Sequence, residues 1–306
     1  MTRSGVLTAV WASFLLLLCA SAALAQDRVT LGWGRLFSND FIGDGEDRWR
    51  SGSYVVSLVR GPVWQGALPG FGQLIELRLR SEIISAANVR RPAAGDRRYA
   101  GVLGFGIFSH FALAEVEASL GAELVVTGAQ SGVSGFQTLA HRLLGAPKPG
   151  GLDQQISNLF TPALSLELGQ SLQISNNLRL RPFVEARVGD ETLLRFGADL
   201  FLGQIGRDGL MLRDPVTGQR YLAVAAAGLP AVGMVLGGDL AAVDRSIYLP
   251  APGPVRLSRH RARLRAGWYW HGRRAELFYG LTWLGREFIG QPEGQVTGSL
   301  NLRWHF

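Results

Sequence analysis

Hydrophobic and polar residues alternate over long stretches of this chain. From Leu178 to Val188 every second side chain is apolar, and arginine or glutamate fills four of the five positions between them. The same period of two recurs over residues 75–83, 114–126 and 259–270. This period is typical of a β-strand with one apolar and one polar face. Charges at this density cannot face a dry core, so the pattern predicts strands whose charged rows line the inside of a barrel.

A soluble β-sandwich also alternates apolar and polar positions, so alternation by itself permits that fold too. Strand length favours a barrel, because the segments run for about ten residues or more, as a tilted transmembrane strand requires. Aromatic residues gather at Trp268, Tyr269 and Trp270, as in the interfacial girdle of a membrane barrel. The last segment ends on Phe306, which resembles the terminal aromatic that the barrel assembly machinery recognises. We therefore predict an all-β fold, a closed antiparallel transmembrane β-barrel in the bacterial outer membrane, in contact with its lipid.

The alternating segments number about twelve, and an even number is expected for a bacterial single-chain barrel. They are Val29–Phe37, Ser53–Val59, Gln73–Ile84, Arg98–His110, Ala112–Thr127, Pro162–Leu172, Asn177–Val188, Thr192–Gln204, Tyr221–Val235, Arg256–Trp270, Arg273–Phe288 and Gln295–Phe306. The segment Tyr221–Val235 has the weakest pattern. Charges of both signs on the inner faces predict that salt bridges fill the lumen, which disfavours an open pore.

One insertion breaks the period of two. From Ser134 to Ala146 apolar residues recur at spacings of three and four, which predicts a short helix. Ser134 is the expected N-cap, and Gly145 with the following prolines is expected to end the helix. The helix lies in an excursion between two strands, and long excursions of this kind are where barrels carry function.

The first 25 residues are predicted to be a cleaved secretory signal peptide. Arg3 supplies the positive charge, residues 6–18 the apolar stretch and Ala23-Leu24-Ala25 the cleavage site. The apolar stretch is shorter than the roughly 20 residues of a spanning helix, which argues against an uncleaved anchor. The single cysteine, Cys19, lies inside the removed segment, so the mature barrel, residues 26–306, is expected to contain no thiol.

The basic residues narrow the choice of partners. The formal net charge is +7, but the positive residues are spread through the strands and the chain carries a secretion signal, so we expect no nucleic-acid partner. Lys148 is the only lysine, and the other basic residues are arginines. Because guanidinium groups pair with carboxylates and phosphates, buried ion pairs and a phosphorylated ligand are both consistent with this composition.

Three segments carry candidate chemistry. His141, on the predicted helix, could be a catalytic base or a packed or solvated residue. Residues 38–47 are rich in oxygen ligands and could bind Ca²⁺, although they lack EF-hand spacing and could equally form a solvated turn. Residues 88–98 form a basic loop that could bind phosphate or form a charged rim. No GxSxG or HExxH motif is present, so the sequence does not support an α/β serine hydrolase or a zincin.

Five short motifs follow one another in the first half of the mature chain. They are Asn39-Asp40-Phe41, Asp47-Arg48-Trp49-Arg50-Ser51-Gly52, Asp96-Arg97-Arg98-Tyr99-Ala100-Gly101, Gln137 to His141 with Gly145, and Pro149-Gly150-Gly151-Leu152-Asp153-Gln154-Gln155. Their order and spacing resemble the LpxR family of outer-membrane lipid A 3′-O-deacylases. The rest of the chain resembles that family by its barrel pattern.

The resemblance implies a twelve-stranded enzyme that uses Ca²⁺ to remove the 3′-linked acyloxyacyl group from the lipid A of lipopolysaccharide. By position, Asn39 and Asp40 match the pair at the family's calcium-dependent site, and His141 matches its general base. Ser51, or alternatively Arg50, stands where the family has a threonine or serine before the glycine. Arg90 falls in the family's basic loop, so Arg90, Arg91 and Arg50 are candidates to bind the substrate. The alternative is a structural or transport barrel that kept the fold without the chemistry.

The chain departs from the family pattern in two places. Trp49-Arg50-Ser51-Gly52 is rearranged relative to the Tyr-Thr that the family often has there. Pro147 and Lys148 stand where some members place a glutamate shortly after the histidine. The missing carboxylate puts calcium binding, acyl preference and activity in question.

Overall fold

Seventeen strands are present in the computed structural model, which describes residues 28–225, 231–272 and 274–304. The predicted signal peptide, residues 1–25, and Phe306 lie outside the described residues. Twelve strands are long: β1 (Val29–Asn39), β2 (Arg50–Gly61), β3 (Leu74–Ile84), β4 (Ala100–Leu113), β5 (Val116–Thr127), β6 (Leu159–Gly169), β8 (Leu178–Val188), β9 (Glu191–Gly203), β12 (Ala231–Ser246), β14 (His260–His271), β15 (Ala275–Leu284) and β17 (Gln295–Trp304). Five are short: β7 (Leu172–Ser175), β10 (Leu210–Arg213), β11 (Arg220–Val224), β13 (Arg256–Leu257) and β16 (Phe288–Ile289).

The twelve long strands close into an antiparallel barrel. Their order is β6-β5-β4-β3-β2-β1-β17-β15-β14-β12-β9-β8, and the pairing of β8 with β6 closes the sheet. The first and last strands meet in the register Phe37–Leu300 and Asn39–Gly298. Every long strand therefore has two neighbours, and the predicted closed barrel of about twelve strands is confirmed.

The apolar rows face outward and the charged rows face inward, as the alternation predicts. On β3, Leu77 and Leu79 are 42% and 43% exposed, whereas Glu76, Arg80 and Glu82 are buried. The alternation along each strand therefore produces an outer surface suited to lipid and a lumen lined by charged groups. Among the described residues, no helix is both long and apolar enough to span a membrane.

The predicted strand Tyr221–Val235 is wrong in its bounds, because it joins two different elements. Residues up to Val224 belong to β11, which pairs only with β10 in a separate hairpin, and the barrel strand β12 runs from Ala231 to Ser246. Tyr221 and Ala223 are fully buried, because this hairpin lies inside the lumen with protein on all sides. A segment without a solvent-facing or lipid-facing side has no reason to alternate, which explains the weak pattern.

Other predicted strands are too long. The prediction Ala112–Thr127 begins too early, because Ala112 and Leu113 belong to β4. The barrel strand β14 begins at His260, and β15 ends at Leu284. The flanking residues Arg256 and Phe288 belong instead to β13 and β16, which pair with each other in a separate two-stranded sheet. Alternation continued past the end of each barrel strand, so the pattern could not locate the boundary.

The hairpin of β10 and β11 is fixed to the inner wall by packing and by charge. Gly32 on β1 allows close approach, because a Cβ there would lie 2.1 Å from the carbonyl oxygen of Ala223. Arg213 on β10 pairs with Asp199 at 2.8 Å and with Glu167 at 2.6 Å, both on the barrel wall. Together with the wall's own ion pairs, the hairpin fills a large part of the lumen.

The excursion between β5 and β6 contains the helix α1 (Val133–Leu144), which packs against β3 and β4. Gly145 ends the helix in the left-handed conformation, φ 68°, as predicted. The predicted N-cap is wrong: the cap is Gly132, and Ser134 lies buried in the first turn. A 3₁₀ turn, Ala129–Ser131, precedes the helix, and the N-cap lies two positions earlier than predicted. We call the end of the barrel formed by residues 40–49, 85–99 and 128–158 the helical rim.

Candidate functional site

A tight turn at the end of β1 is built around Asp40. The Asp40 Oδ2 accepts a hydrogen bond from the backbone N–H of Arg48 at 2.7 Å, and the Asp40 N–H donates to the carbonyl of Ser51 at 3.1 Å. The Asp40 carbonyl accepts from the N–H groups of Gly43 and Gly45. These contacts fold residues 40–48 over the carboxyl group, which is only 1% exposed.

The second oxygen of this carboxyl group, Asp40 Oδ1, is buried and has no hydrogen-bond partner in the described part of the chain. Burial raises the pKa of Asp40 to about 8, and the nearby carboxylates of Asp47 and Asp44 add to the increase, although the Arg48 N–H opposes it. A buried anion is costly unless a cation or hydrogen bonds compensate it. Asp40 is therefore a carboxylate that needs either a proton or a cation.

Asn39 and Ser51 lie beside Asp40. Asn39 is the last residue of β1, opposite Gly52 of β2, and its Oδ1 accepts from the backbone N–H of Phe41 at 2.8 Å. The hydroxyl of Ser51 is buried and lies 2.9 Å from the hydroxyl of Ser85. The structure thus brings Asn39, Asp40 and Ser51 together at the junction of β1 and β2.

Arg50 is not at this site. A bulge in β2 between Arg50 and Gly52 buries both Arg50 and Ser51, and the Arg50 guanidinium enters the lumen. There it contacts Glu82, lies 2.8 Å from Glu287 and 3.6 Å from Glu191. Because its donors are already committed to carboxylates, Arg50 belongs to the lumen network and is not free to bind a lipid outside the barrel.

His141 reaches the same region from α1. Its side chain is mostly buried; Nδ1 lies 2.5 Å from the carbonyl oxygen of Pro147, and Nε2 lies 3.7 Å from Asp47 Oδ2. Asp47 directly precedes Arg48, whose N–H binds the Asp40 carboxyl group, so one turn carries both Asp40 and the carboxylate nearest to His141. The loop residue Asp47 therefore connects the β1–β2 turn with the helix.

Two further residues of the site, Tyr99 and Gln137, carried no periodic signal in the sequence. Tyr99 is buried just before β4, and burial together with Asp47 raises the pKa of its hydroxyl. Gln137 is buried one helical turn before His141. Neither the Tyr99 hydroxyl nor Gln137 Oε1 has a partner among the residues described. Both stand inside the five motifs, which was the only signal that could have identified them.

Arg90 and Arg91 lie in an exposed loop of the helical rim. The Asn88 side chain accepts hydrogen bonds from the backbone N–H groups of both arginines at 3.0 Å, and Gly150 N–H donates to the carbonyl of Val89. Neither guanidinium pairs with a carboxylate of the described chain, so both are available to an external anion. Within the described residues, no hydrogen bond or ion pair joins either arginine to His141.

The outer face of α1 is apolar. Phe136, Leu139, Leu143 and Leu144 are 67%, 49%, 77% and 81% exposed, while Val133, Ser134 and Gln137 face inward. Phe41 in the β1–β2 turn is likewise exposed. The site is thus bordered by apolar side chains that continue the lipid-facing surface of the barrel.

The charged side chains of this site only partly match what a calcium ion requires. No group of three or more histidine, cysteine, aspartate or glutamate side chains suited to a metal occurs in the described residues. Ca²⁺, however, accepts carbonyl and amide oxygens as well as carboxylates. The unpartnered, buried Asp40 Oδ1 beside the Asn39 amide offers one such carboxylate with a neutral oxygen donor.

A closed twelve-stranded barrel with apolar outer rows, an ion-paired lumen and a polar site at one rim defines an outer-membrane β-barrel protein. The family model described as outer membrane protein LpxR matches residues 10–306. The chain therefore belongs to the LpxR family and is located in the outer membrane.

Among solved structures, LpxR from Salmonella typhimurium matches with 18% sequence identity and a TM-score of 0.76, over 90% of this chain and 100% of that chain. The β domain of the Bordetella autotransporter BrkA matches with 15% identity and a TM-score of 0.45, over 91% and 100% of the two chains. The translocator domain of NalP from Neisseria meningitidis matches with 11% identity and a TM-score of 0.42, over 98% and 97%. No curated protein sequence matches the chain.

Proposed function

We propose that this protein is a calcium-dependent lipid A deacylase that hydrolyses the 3′-linked acyloxyacyl ester. The observation that carries the proposal is the approach of His141 to Asp47 at 3.7 Å, which joins the helix to the turn that holds Asp40. Family membership over residues 10–306 and the resemblance of the five motifs support the same activity.

His141 is the proposed general base. Its Nε2 takes a proton from a water molecule, whose oxygen then attacks the ester carbonyl carbon, and the proton passes to the sugar oxygen as the ester bond breaks. A base of this kind contributes on the order of 10²- to 10⁴-fold to the rate. Ser51 and Tyr99 are further polar residues that we propose for the site.

Asp40 and Asn39 are the proposed holders of Ca²⁺. When bound, the ion would supply positive charge that polarises the ester carbonyl and stabilises the oxyanion. The Arg48 N–H on Oδ2 fixes the Asp40 carboxylate so that Oδ1 stays free for this role.

The surroundings of the site suit a lipid with a phosphorylated head. Leu143 and Leu144 on the outer face of α1 can contact acyl chains, which are apolar. Arg90 and Arg91 remain the candidates to bind the phosphates, because guanidinium pairs with phosphate in a bidentate manner. Arg50, which is held in the lumen, is not included.

Mass spectrometry of lipid A tests the proposal directly. Purified protein incubated with lipopolysaccharide and Ca²⁺ should lower the mass of lipid A by one acyloxyacyl group. His141→Ala should abolish this change, and His260→Ala, which alters an exposed histidine at the start of β14, should not. A spectrum that stays unchanged with folded wild-type protein over a wide range of calcium concentrations would overturn the proposed activity.

A transport barrel is the second candidate, and conductance separates it from the enzyme. The hairpin of β10 and β11 and the ion pairs of Arg213 occupy the lumen, which argues against an open pore. We expect liposomes containing the protein to show no steady channel current. A stable conductance would instead favour transport.

A further inference from the structure

His141 lies between a backbone carbonyl and a carboxylate that come from different segments. Its Nδ1 is 2.5 Å from the Pro147 oxygen, and its Nε2 is 3.7 Å from Asp47 Oδ2. A carbonyl oxygen can only accept a hydrogen bond, so Nδ1 must carry the proton of the neutral ring. The lone pair is then on Nε2, which faces the acidic turn.

Some family members have a glutamate shortly after the histidine, and this chain has Pro147 at that place. The chain turns back after α1 because Gly145 is left-handed and the Ala146 N–H donates to the His141 carbonyl at 2.8 Å. This turn brings the Pro147 carbonyl oxygen within hydrogen-bonding distance of His141 Nδ1. The acceptor is a main-chain atom, so its presence does not depend on a carboxylate side chain at position 147.

Asp47 is suited to stabilise the charged form of His141. A separation of 3.7 Å is too long for a hydrogen bond but within the range of an ion pair. The Asp47 side chain is one-third exposed, and its titratable neighbours besides His141 include Asp40 and Tyr99. When Nε2 accepts a proton, the imidazolium and Asp47 attract each other.

We infer that Asp47 is the positioning residue of His141 in this chain and that the Pro147 carbonyl fixes the ring tautomer. The histidine and its carboxylate partner thus come from two different segments between barrel strands. In the proposed reaction the proton moves only between water, His141 Nε2 and the sugar oxygen. The kinetic part of this inference rests on the proposed function, whereas the tautomer does not.

Nitrogen NMR of histidine-labelled protein tests the tautomer without any substrate. In detergent at a pH where the ring is neutral, the His141 signals, assigned by their loss in His141→Gln, should show a protonated Nδ1 and an unprotonated Nε2. The opposite tautomer would overturn the inference about Pro147. Pro147→Ala should keep the wild-type signals, because it retains the carbonyl.

Kinetics test Asp47 with matched variants. Asp47→Asn should lower kcat roughly 10- to 100-fold, less than loss of the base itself, with little change in KM. Asp47→Glu should recover part of this loss, and Glu46→Gln, which removes an exposed charge from the same turn, should behave as wild type.

Three outcomes would overturn the role of Asp47. Asp47→Asn could match Glu46→Gln in kcat, or Asp47→Glu could be as inactive as Asp47→Asn. Alternatively, excess calcium could fully restore Asp47→Asn, which would make Asp47 a cation ligand. Inactivity of wild-type protein would instead refute the proposed function, and the NMR result would still decide the tautomer.

Discussion

Asp40 is expected to make the cation-free protein less stable as the pH rises. Its pKa is about 8 in the folded protein against 3.8 for the ordinary side chain, because burial disfavours the anion. A carboxyl group with a raised folded-state pKa binds its proton more tightly when folded, so its stabilisation is lost as pH rises from about 4 to 8. The pKa difference of about 4 corresponds to about 6 kcal/mol, and solvent screening is small because the group is 1% exposed.

Chemical unfolding in detergent with a chelator measures this effect. Between pH 5 and pH 8 the unfolding free energy of wild type should fall by about 4 kcal/mol relative to Asp40→Asn, which keeps the shape without the charge. Asp153→Asn, at an exposed carboxylate of the helical rim, should keep the wild-type pH dependence. Added Ca²⁺ should recover stability at pH 8 and have little effect at pH 5, because protons compete with the ion for the carboxylate. Equal pH dependence in wild type and Asp40→Asn would refute this reasoning.

Three other changes test the packing, the lumen and the rim. Gly121→Ala should lower stability by roughly 1–3 kcal/mol, because a Cβ there would lie 1.9 Å from Cδ1 of the buried Phe108 ring, as chemical unfolding can show. Arg265→Met should cost roughly 3–5 kcal/mol in the same assay, since it leaves two buried aspartates with one fewer partner. Leu144→Asp should change stability little but reduce lipid A turnover in vesicles, because it places a charge on the apolar outer face of α1.

Each of these changes has a matched control. Gly238→Ala should be tolerated, because its nearest neighbour is a methyl group of the flexible, exposed Leu264. Arg256→Met removes an exposed arginine and should leave stability unchanged within about 0.5 kcal/mol. Leu144→Ala should retain most of the turnover. Equal effects in a test variant and its control would contradict the corresponding explanation.

The sequence by itself determined the wall of this barrel. Each strand residue faces either lipid or lumen according to its parity, so Leu77 and Glu76 could be assigned to opposite sides from the period of two. Likewise, the period of three and four located α1, and Gly145 marked its end. These features depend on neighbours a few residues away, which is why a linear pattern encodes them.

The site was predictable only as a set of motifs. The resemblance brought out Asn39, Asp40 and His141, yet it also suggested a lipid-binding role for Arg50. The structure places that guanidinium among lumen carboxylates, because a bulge at Arg50–Gly52 changes which way the chain faces. A local irregularity of one residue reverses the parity on which sequence reasoning depends.

Only the tertiary structure decided what surrounds His141 and what fills the lumen. Asp47 and His141 are separated by 94 positions, and they meet because α1 packs against β3 and β4, and β3 pairs with β2, which follows the turn that carries Asp47. The β10–β11 hairpin lies in the lumen for a related reason: among its partners are Glu167 and Ser57, which lie on strands that are distant in sequence. Periodicity reports which side a residue faces, whereas the identity of the group it meets depends on how the whole sheet closes.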